Sequence, residues 1–131
     1  MRILLDTHVL IWALSEPQRL DDVISATIEN AADEVLFSAV SIWEIAIKRR
    51  LGRVDFPFAP VEIAGSAVAA GYAELPLRSS AAVLVSELPL LHRDPFDRML
   101  VAQAIAEPAF FYTADQRLSP YSELVRQVGT R

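Results

Sequence analysis

Three short apolar runs constrain this chain more than anything else in it: Ile3-Leu4-Leu5, Val35-Leu36-Phe37 and Phe110-Phe111-Tyr112. None of them alternates apolar with polar residues. Each therefore reads as a strand buried on both faces, and such strands belong to parallel sheets. Helical patterns fill the intervals. They run from Thr7 to about Leu14, Asp21 to Asn30, Ala39 to Leu51, Val61 to Ala70, Ser79 to about Glu87, and Asp94 to about Ala106. Parallel neighbours need a long crossover, usually a helix, so the alternation predicts an α/β chain with three layers, α/β/α, around a central parallel sheet. Glu74-Leu75-Pro76-Leu77 reads as an edge strand, because its proline has no N–H to donate. The tail from Tyr121 reads as helical at first. With 131 residues, 53% of them hydrophobic, the expectation is a single domain over residues 1–131, without repeats or linkers.

Two of the strands release a carboxylate where they end. Ile3–Leu5 runs into Asp6-Thr7, and Phe110–Tyr112 runs into Thr113-Ala114-Asp115. In open α/β sheets, sites form outside the carboxyl ends of the strands. Two further acids lie at apolar helices. Glu44 shares a helical face with Val40, Ile47 and Leu51. Asp97 is set among Phe96, Met99, Leu100, Val101 and Ala104. Each acid has a plainer alternative. Asp6 suits a helix cap, Glu44 suits an exposed pair with Lys48 four residues on, and Asp115 suits a turn. Asp94, followed by Pro95, is well placed as an N-cap and also stands near enough to Asp97 to assist it. Taken together, four carboxylates converging on one edge cannot all stay ionised without a cation between them. Oxygen donors of this kind favour a hard ion, Mg²⁺ or Mn²⁺.

Other chemistries find less support. The chain has no cysteine, which excludes disulfides and thiolate metal sites and fits a cytoplasmic location. No segment has the length of a membrane span, and Asp6 cuts the first apolar run too short for a signal peptide. His8 and His92 are too scattered to make a zinc site and read as ordinary structural or surface residues. The net charge of −5 argues against a protein that coats nucleic acid. The one basic cluster, Lys48-Arg49-Arg50, reads either as a solvated helix end favoured by the helix dipole or as a grip on an RNA backbone.

The order of these motifs resembles the PIN domain, and more narrowly the VapC-type toxin ribonucleases of bacterial toxin–antitoxin pairs. The segments that carry the resemblance are Met1 to Trp12, Ser38 to Glu44, His92 to Arg98 and Tyr112 to Asp115. It implies a Mg²⁺-dependent endoribonuclease in which Asp6, Glu44, Asp97 and Asp115 match the acidic positions. Thr7, Ser41 and Thr113 would be the hydroxyls beside them, with Asp94 an auxiliary acid. It also implies a homodimer and a cognate antitoxin, with Trp12, Trp43, Phe56 and Phe58 as apolar contact residues. In the chemistry expected, Asp6 and Asp97 bind the ion directly, while Glu44 and Asp115 act through water or position the nucleophile. Hydrolysis of this kind leaves a 5′-phosphate and needs no 2′-hydroxyl. The rival from another class is a non-catalytic PIN-like module that only binds RNA or protein. A phosphoaspartate phosphatase would want a second Asp two residues after Asp6, where this chain has His8.

Overall fold

The computed structural model describes residues 1–30 and 32–130; Ala31 and Arg131, the last residue of the expected domain, lie outside the described residues. The chain runs β1 (Arg2–Leu5), α1 (Thr7–Ser15), a 3-10 turn (Pro17–Arg19), α2 (Asp22–Glu29), β2 (Glu34–Ser38), α3 (Ala39–Arg50) and α4 (Pro60–Ala69). It continues through β3 (Ala73–Leu75), α5 (Ser79–Val85), α6 (Pro95–Ala106), β4 (Phe110–Thr113), a second 3-10 turn (Gln116–Tyr121) and β5 (Val125–Gln127). The five strands form one sheet in the order β3-β2-β1-β4-β5, and every pairing is parallel. No helix among the described residues is long and apolar enough to cross a membrane.

The uninterrupted apolar runs follow from this sheet. Successive side chains of a strand point to opposite faces, and here both faces are covered. Ile3, Leu5, Val35, Phe37 and Tyr112 pack on one side with α1 and α4 residues such as Leu10 and Ile63. Leu4, Leu36 and Phe111 pack on the other with Leu100, Val101 and Ala104 of α6. Phe37 and Phe111 are fully buried on opposite faces, and each burial is worth about 1.5–3 kcal/mol.

The order of the strands fixes where a site can form. From β1 the chain builds outward through β2 to β3, then returns to place β4 on the other side of β1 and β5 beyond it. The winding reverses between β1 and β4, and the crevice outside their carboxyl ends is the usual ligand position in such a sheet. Asp6 follows β1 and Asp115 follows β4.

One segment departs from the expectation. The tail is not helical from Tyr121; after the 3-10 turn it pairs with β4 through Phe111, Tyr112 and Thr113. Val125 enters the core beside Leu118 and Phe111. The open edge of β4 offers backbone partners, and that tertiary pairing overrides a weak helical propensity.

Candidate active site

Asp6 is 5% exposed, and each of its carboxylate oxygens is held. Oδ1 accepts the Thr7 N–H at 2.6 Å, and Oδ2 accepts the Thr113 hydroxyl at 2.5 Å. A dedicated N-cap reaches the second or third helical N–H. Asp6 takes only the first one of α1, and its other oxygen bridges to the end of β4. Asp6 is thus placed by both strands of the switch point. Its backbone is pinned there as well, since Asp6 N–H donates to Tyr112 O at 2.9 Å.

Glu44, on α3, is 2% exposed. Oε1 accepts from the Thr7 hydroxyl at 2.6 Å, and Oε2 pairs with Lys48 Nζ at 2.5 Å. The Thr7 hydroxyl also lies 2.9 Å from the Ser41 hydroxyl. Its single proton goes to the carboxylate, so it takes the Ser41 proton in turn. The i,i+4 pair with Lys48 thus exists, but it is covered rather than exposed. Thr7, Ser41 and Thr113 are all fully buried.

Asp94 caps α6 as its position before Pro95 requires. Oδ1 accepts from Phe96 N–H at 2.8 Å and from Asp97 N–H at 3.3 Å, while Oδ2 stands 4.0 Å from Lys48 Nζ. The cap carries Asp97 into the cleft on the first helical turn. Burial, followed by the charges of Asp6, Asp94, Glu44 and Asp115, pushes the Asp97 carboxyl up to about 8. Burial likewise raises Asp6 to about 6, partly offset by the Thr113 hydrogen bond. Asp115 moves the other way. Arg117 binds both of its oxygens, at 2.9 Å and 2.8 Å, and lowers its carboxyl below the ordinary range. The Thr113 hydroxyl also accepts the Asp115 N–H at 3.0 Å, which ties this loop to Asp6.

Two partners were not legible in the sequence. His92 is no bystander: its Nε2 lies 2.9 Å from Asp97 Oδ2 and 3.7 Å from Asp115 Oδ2. The Tyr121 hydroxyl accepts from Leu91 N–H and His92 N–H and folds that loop back over the helix start. Arg117 is the other, and its place two residues after Asp115 was the only available signal. The basic cluster divides. Lys48 turns into the cleft, whereas Arg49 and Arg50 are exposed and border a separate hollow with Ala46 and Pro60. Phe56 is fully buried and offers no contact surface, while Trp43 is 58% exposed and rests edge-on against Phe96.

The structure thus brings Asp6, Glu44, Asp94, Asp97 and Asp115 to one cleft of ≈ 410 Å³, shared with His8, Lys48 and Arg117. Burial, with four carboxylates around it, holds Asp97 protonated to about 8, and a divalent ion would relieve that crowding. One donor atom each from His92, Asp94 and Asp97 falls within 4.8 Å of the others. Asp94 gives one oxygen to the cap, and Asp6 is the strongest charged neighbour of Asp97. The oxygen-rich donor set around Asp6 and Asp97 therefore fits a hard cation.

Residues 3–124 match the family described as the PIN domain. The chain is 34% identical over 117 residues to ribonuclease VapC22 of Mycobacterium tuberculosis, across 88% of each protein. Its fold is similar to VapBC2 from Rickettsia felis, solved bound to a DNA fragment from their promoter. That likeness has a TM-score of 0.72 at 13% identity, over 98% of this chain and 99% of the other. A five-stranded parallel sheet, an acidic cleft at its switch point and a match over nearly the whole sequence have one common reading: the chain belongs to the PIN domain family, as a VapC-type member.

Proposed function

We propose that the protein is a metal-dependent endoribonuclease that hydrolyses RNA phosphodiesters and serves as the toxin of a type II toxin–antitoxin pair. The observation that carries the reading is the gathering of Asp6, Glu44, Asp94, Asp97 and Asp115 in one cleft, where burial and mutual charge raise the carboxyls of Asp6 and Asp97. The ribonuclease named among its relatives supports it.

Asp6 and Asp97 hold the ion, Mg²⁺ or Mn²⁺, in this reading. When bound, such an ion polarises the phosphate and makes a nearby water more acidic. The protein's own groups supply the rest. Thr113 and the Thr7 N–H fix both oxygens of Asp6, so the ligand needs little reorganisation on loading. His92 Nε2, 2.9 Å from Asp97 Oδ2, orients the carboxyl of Asp97. Glu44 and Asp115 orient the attacking water. Thr7 and Ser41 hold Glu44, and Asp94 sets the direction of α6. Arg49 and Arg50, exposed at the end of α3, contact the RNA backbone.

The partners follow the same reading: RNA as substrate, a cognate antitoxin that covers the cleft, and a second copy of the chain, all in the cytoplasm. Exposed Trp43, Leu51, Val54 and Val61, on and after α3, supply apolar surface for such contacts. The test is cleavage of a mixed RNA pool with Mg²⁺, Mn²⁺ or EDTA, alongside Asp6→Asn and Asp97→Asn. Metal-dependent cutting lost in both variants is the expected result. Unchanged cutting in either variant, or none by folded, metal-loaded protein, would favour a module that only binds.

A further inference from the structure

An RNA strand is a chain of anions, and five carboxylates line this cleft. The strand needs cations that are free to meet it. Lys48 is not one of them: its side chain is 14% exposed, with Nζ 2.5 Å from Glu44 Oε2. Two other cations of the cleft are open to solvent, Arg53 at 52% and Arg117 at 69%. Arg117 meets Asp115 through Nε and Nη2, which leaves Nη1 for a second anion. Arg53 is held only loosely by Asp55, with Nε 3.3 Å from Oδ1 and Nη2 3.5 Å from Oδ2. The end of α3 sets its place. Gly52, at a φ of 75°, turns the chain back, with Gly52 N–H on Arg49 O and Arg53 N–H on Lys48 O. That turn brings Arg53 to the cleft, whereas Arg49 and Arg50 border the other hollow.

Beside Arg53 the cleft is aromatic. His8 and Trp12 stand four residues apart on one face of α1, with ring centres 6.0 Å apart and planes tilted by 48°. Both line the cleft and both are half-buried. His8 makes a T-shaped contact with buried Phe56 at 5.2 Å. Asp55 Oδ2 lies 3.7 Å from His8 Nε2 and 3.5 Å from Arg53 Nη2, so imidazole, carboxylate and guanidinium form one wall. The exposed guanidinium of Arg19 lies 5.3 Å from the Trp12 ring centre, and a base can displace so solvent-facing an arm. Aromatic rings and guanidinium planes are the surfaces on which unpaired RNA bases stack, while the bases of a duplex are stacked on one another.

We propose that a single strand of RNA crosses the cleft with backbone phosphates on Arg53 and Arg117 and an unpaired base stacked on the His8–Trp12 surface. Arg117 supports the strand beside Asp115, and Arg53 supports it beside His8. The inference rests on the ribonuclease reading above and adds to it the path of the strand and its unpaired state. These cleft contacts supplement those of Arg49 and Arg50.

The probe is an unstructured RNA oligonucleotide, beside a duplex of the same length, added to the full chain in Ca²⁺ with gel electrophoresis to confirm intact RNA. Should Ca²⁺ support cutting, EDTA replaces it. Trp43→Phe leaves Trp12 as the sole tryptophan. The single strand is expected to quench its fluorescence, and the duplex to leave it unchanged. Arg53→Gln and Arg117→Gln should each reduce the slope of log affinity against log salt by about 0.7, the value for one phosphate of a single strand. A merely structural role for either arginine would change affinity and leave that slope alone. Trp12→Leu should weaken binding on the order of tenfold with the slope kept. If that variant fails to fold, the Trp43→Phe titration decides. Bound single strand that leaves Trp12 emission unchanged, equal quenching by the duplex, or an unaltered slope in either arginine variant overturns the proposal. If the RNA is still cut in Mg²⁺ or Mn²⁺, only this path falls and the ribonuclease reading stands. RNA that is neither bound nor cut removes both.

Discussion

The two walls of the cleft are built on different principles. On the β1–α3 wall, Asp6 and Glu44 are 5% and 2% exposed; the buried hydroxyls of Thr113 and Thr7 hold one oxygen of each, Ser41 backs Thr7, and Lys48 pairs with the second oxygen of Glu44. On the α6–β4 wall, Asp97 and Asp115 are more open and meet side chains that can carry charge, His92 and Arg117. Buried hydroxyls hold a carboxylate by short, directional bonds that salt screens little. Charged partners hold it by a field that solvent screens and protons alter. The first wall is therefore held chiefly by buried directional bonds, and the second chiefly by charge.

The sharpest way to break this comparison is to neutralise one acid on each wall. Asp6→Asn and Asp97→Asn should each lower RNA cleavage by on the order of 10²–10³-fold. Their metal-free stabilities should differ. Asp97→Asn removes a crowded charge and should raise the melting temperature in EDTA at alkaline pH, whereas Asp6→Asn disturbs two hydrogen bonds and should not. Equal shifts in thermal unfolding would erase the distinction.

The pH response is the next largest effect. In the fold Asp97 keeps its proton to about 8 and Asp6 to about 6, against an ordinary value of 3.8 for both. The fold thus binds these protons more tightly than the unfolded chain does. Metal-free stability should fall as pH climbs from 3.8 through 6 towards 8. A divalent ion competes with the same protons, so the melting-temperature gain on adding Mg²⁺ should grow between pH 6 and pH 8. A gain that stays constant over that range would contradict the assignment.

Smaller effects separate the holders of the acids. Thr113→Val leaves a buried oxygen of Asp6 without its donor and should cost about 1–3 kcal/mol in denaturant unfolding. Arg117→Ala breaks a pair whose arginine is 69% exposed, so its cost should be the smaller of the two. That ranking reverses if the charged wall is the structural one.

Much of the architecture could be read from the residues, for an identifiable reason. Ile3–Leu5, Val35–Phe37 and Phe110–Tyr112 are apolar at every position because helices cover both faces of the sheet. Asp94-Pro95 marks a helix start through local chemistry alone. The acids were legible as a set because each follows or borders such an element. What stayed hidden depends on distant pairing. β5 forms only because β4 has a free edge. His92 reaches Asp97 because the Tyr121 hydroxyl, from beyond β4, holds its loop. Lys48 reads as a surface residue until Phe56 and Phe96 are seen to enclose it.

The Thr113–Asp6 hydrogen bond joins residues 107 positions apart. Closing so long a loop takes entropy that only the finished sheet returns. While the chain is being synthesised, Asp6, Thr7 and Glu44 are made well before Asp97 and Thr113, and no partial product can assemble the cleft. An unfinished chain that lacks β4 therefore lacks the complete cleft. The cleft is complete only when β4 docks beside β1.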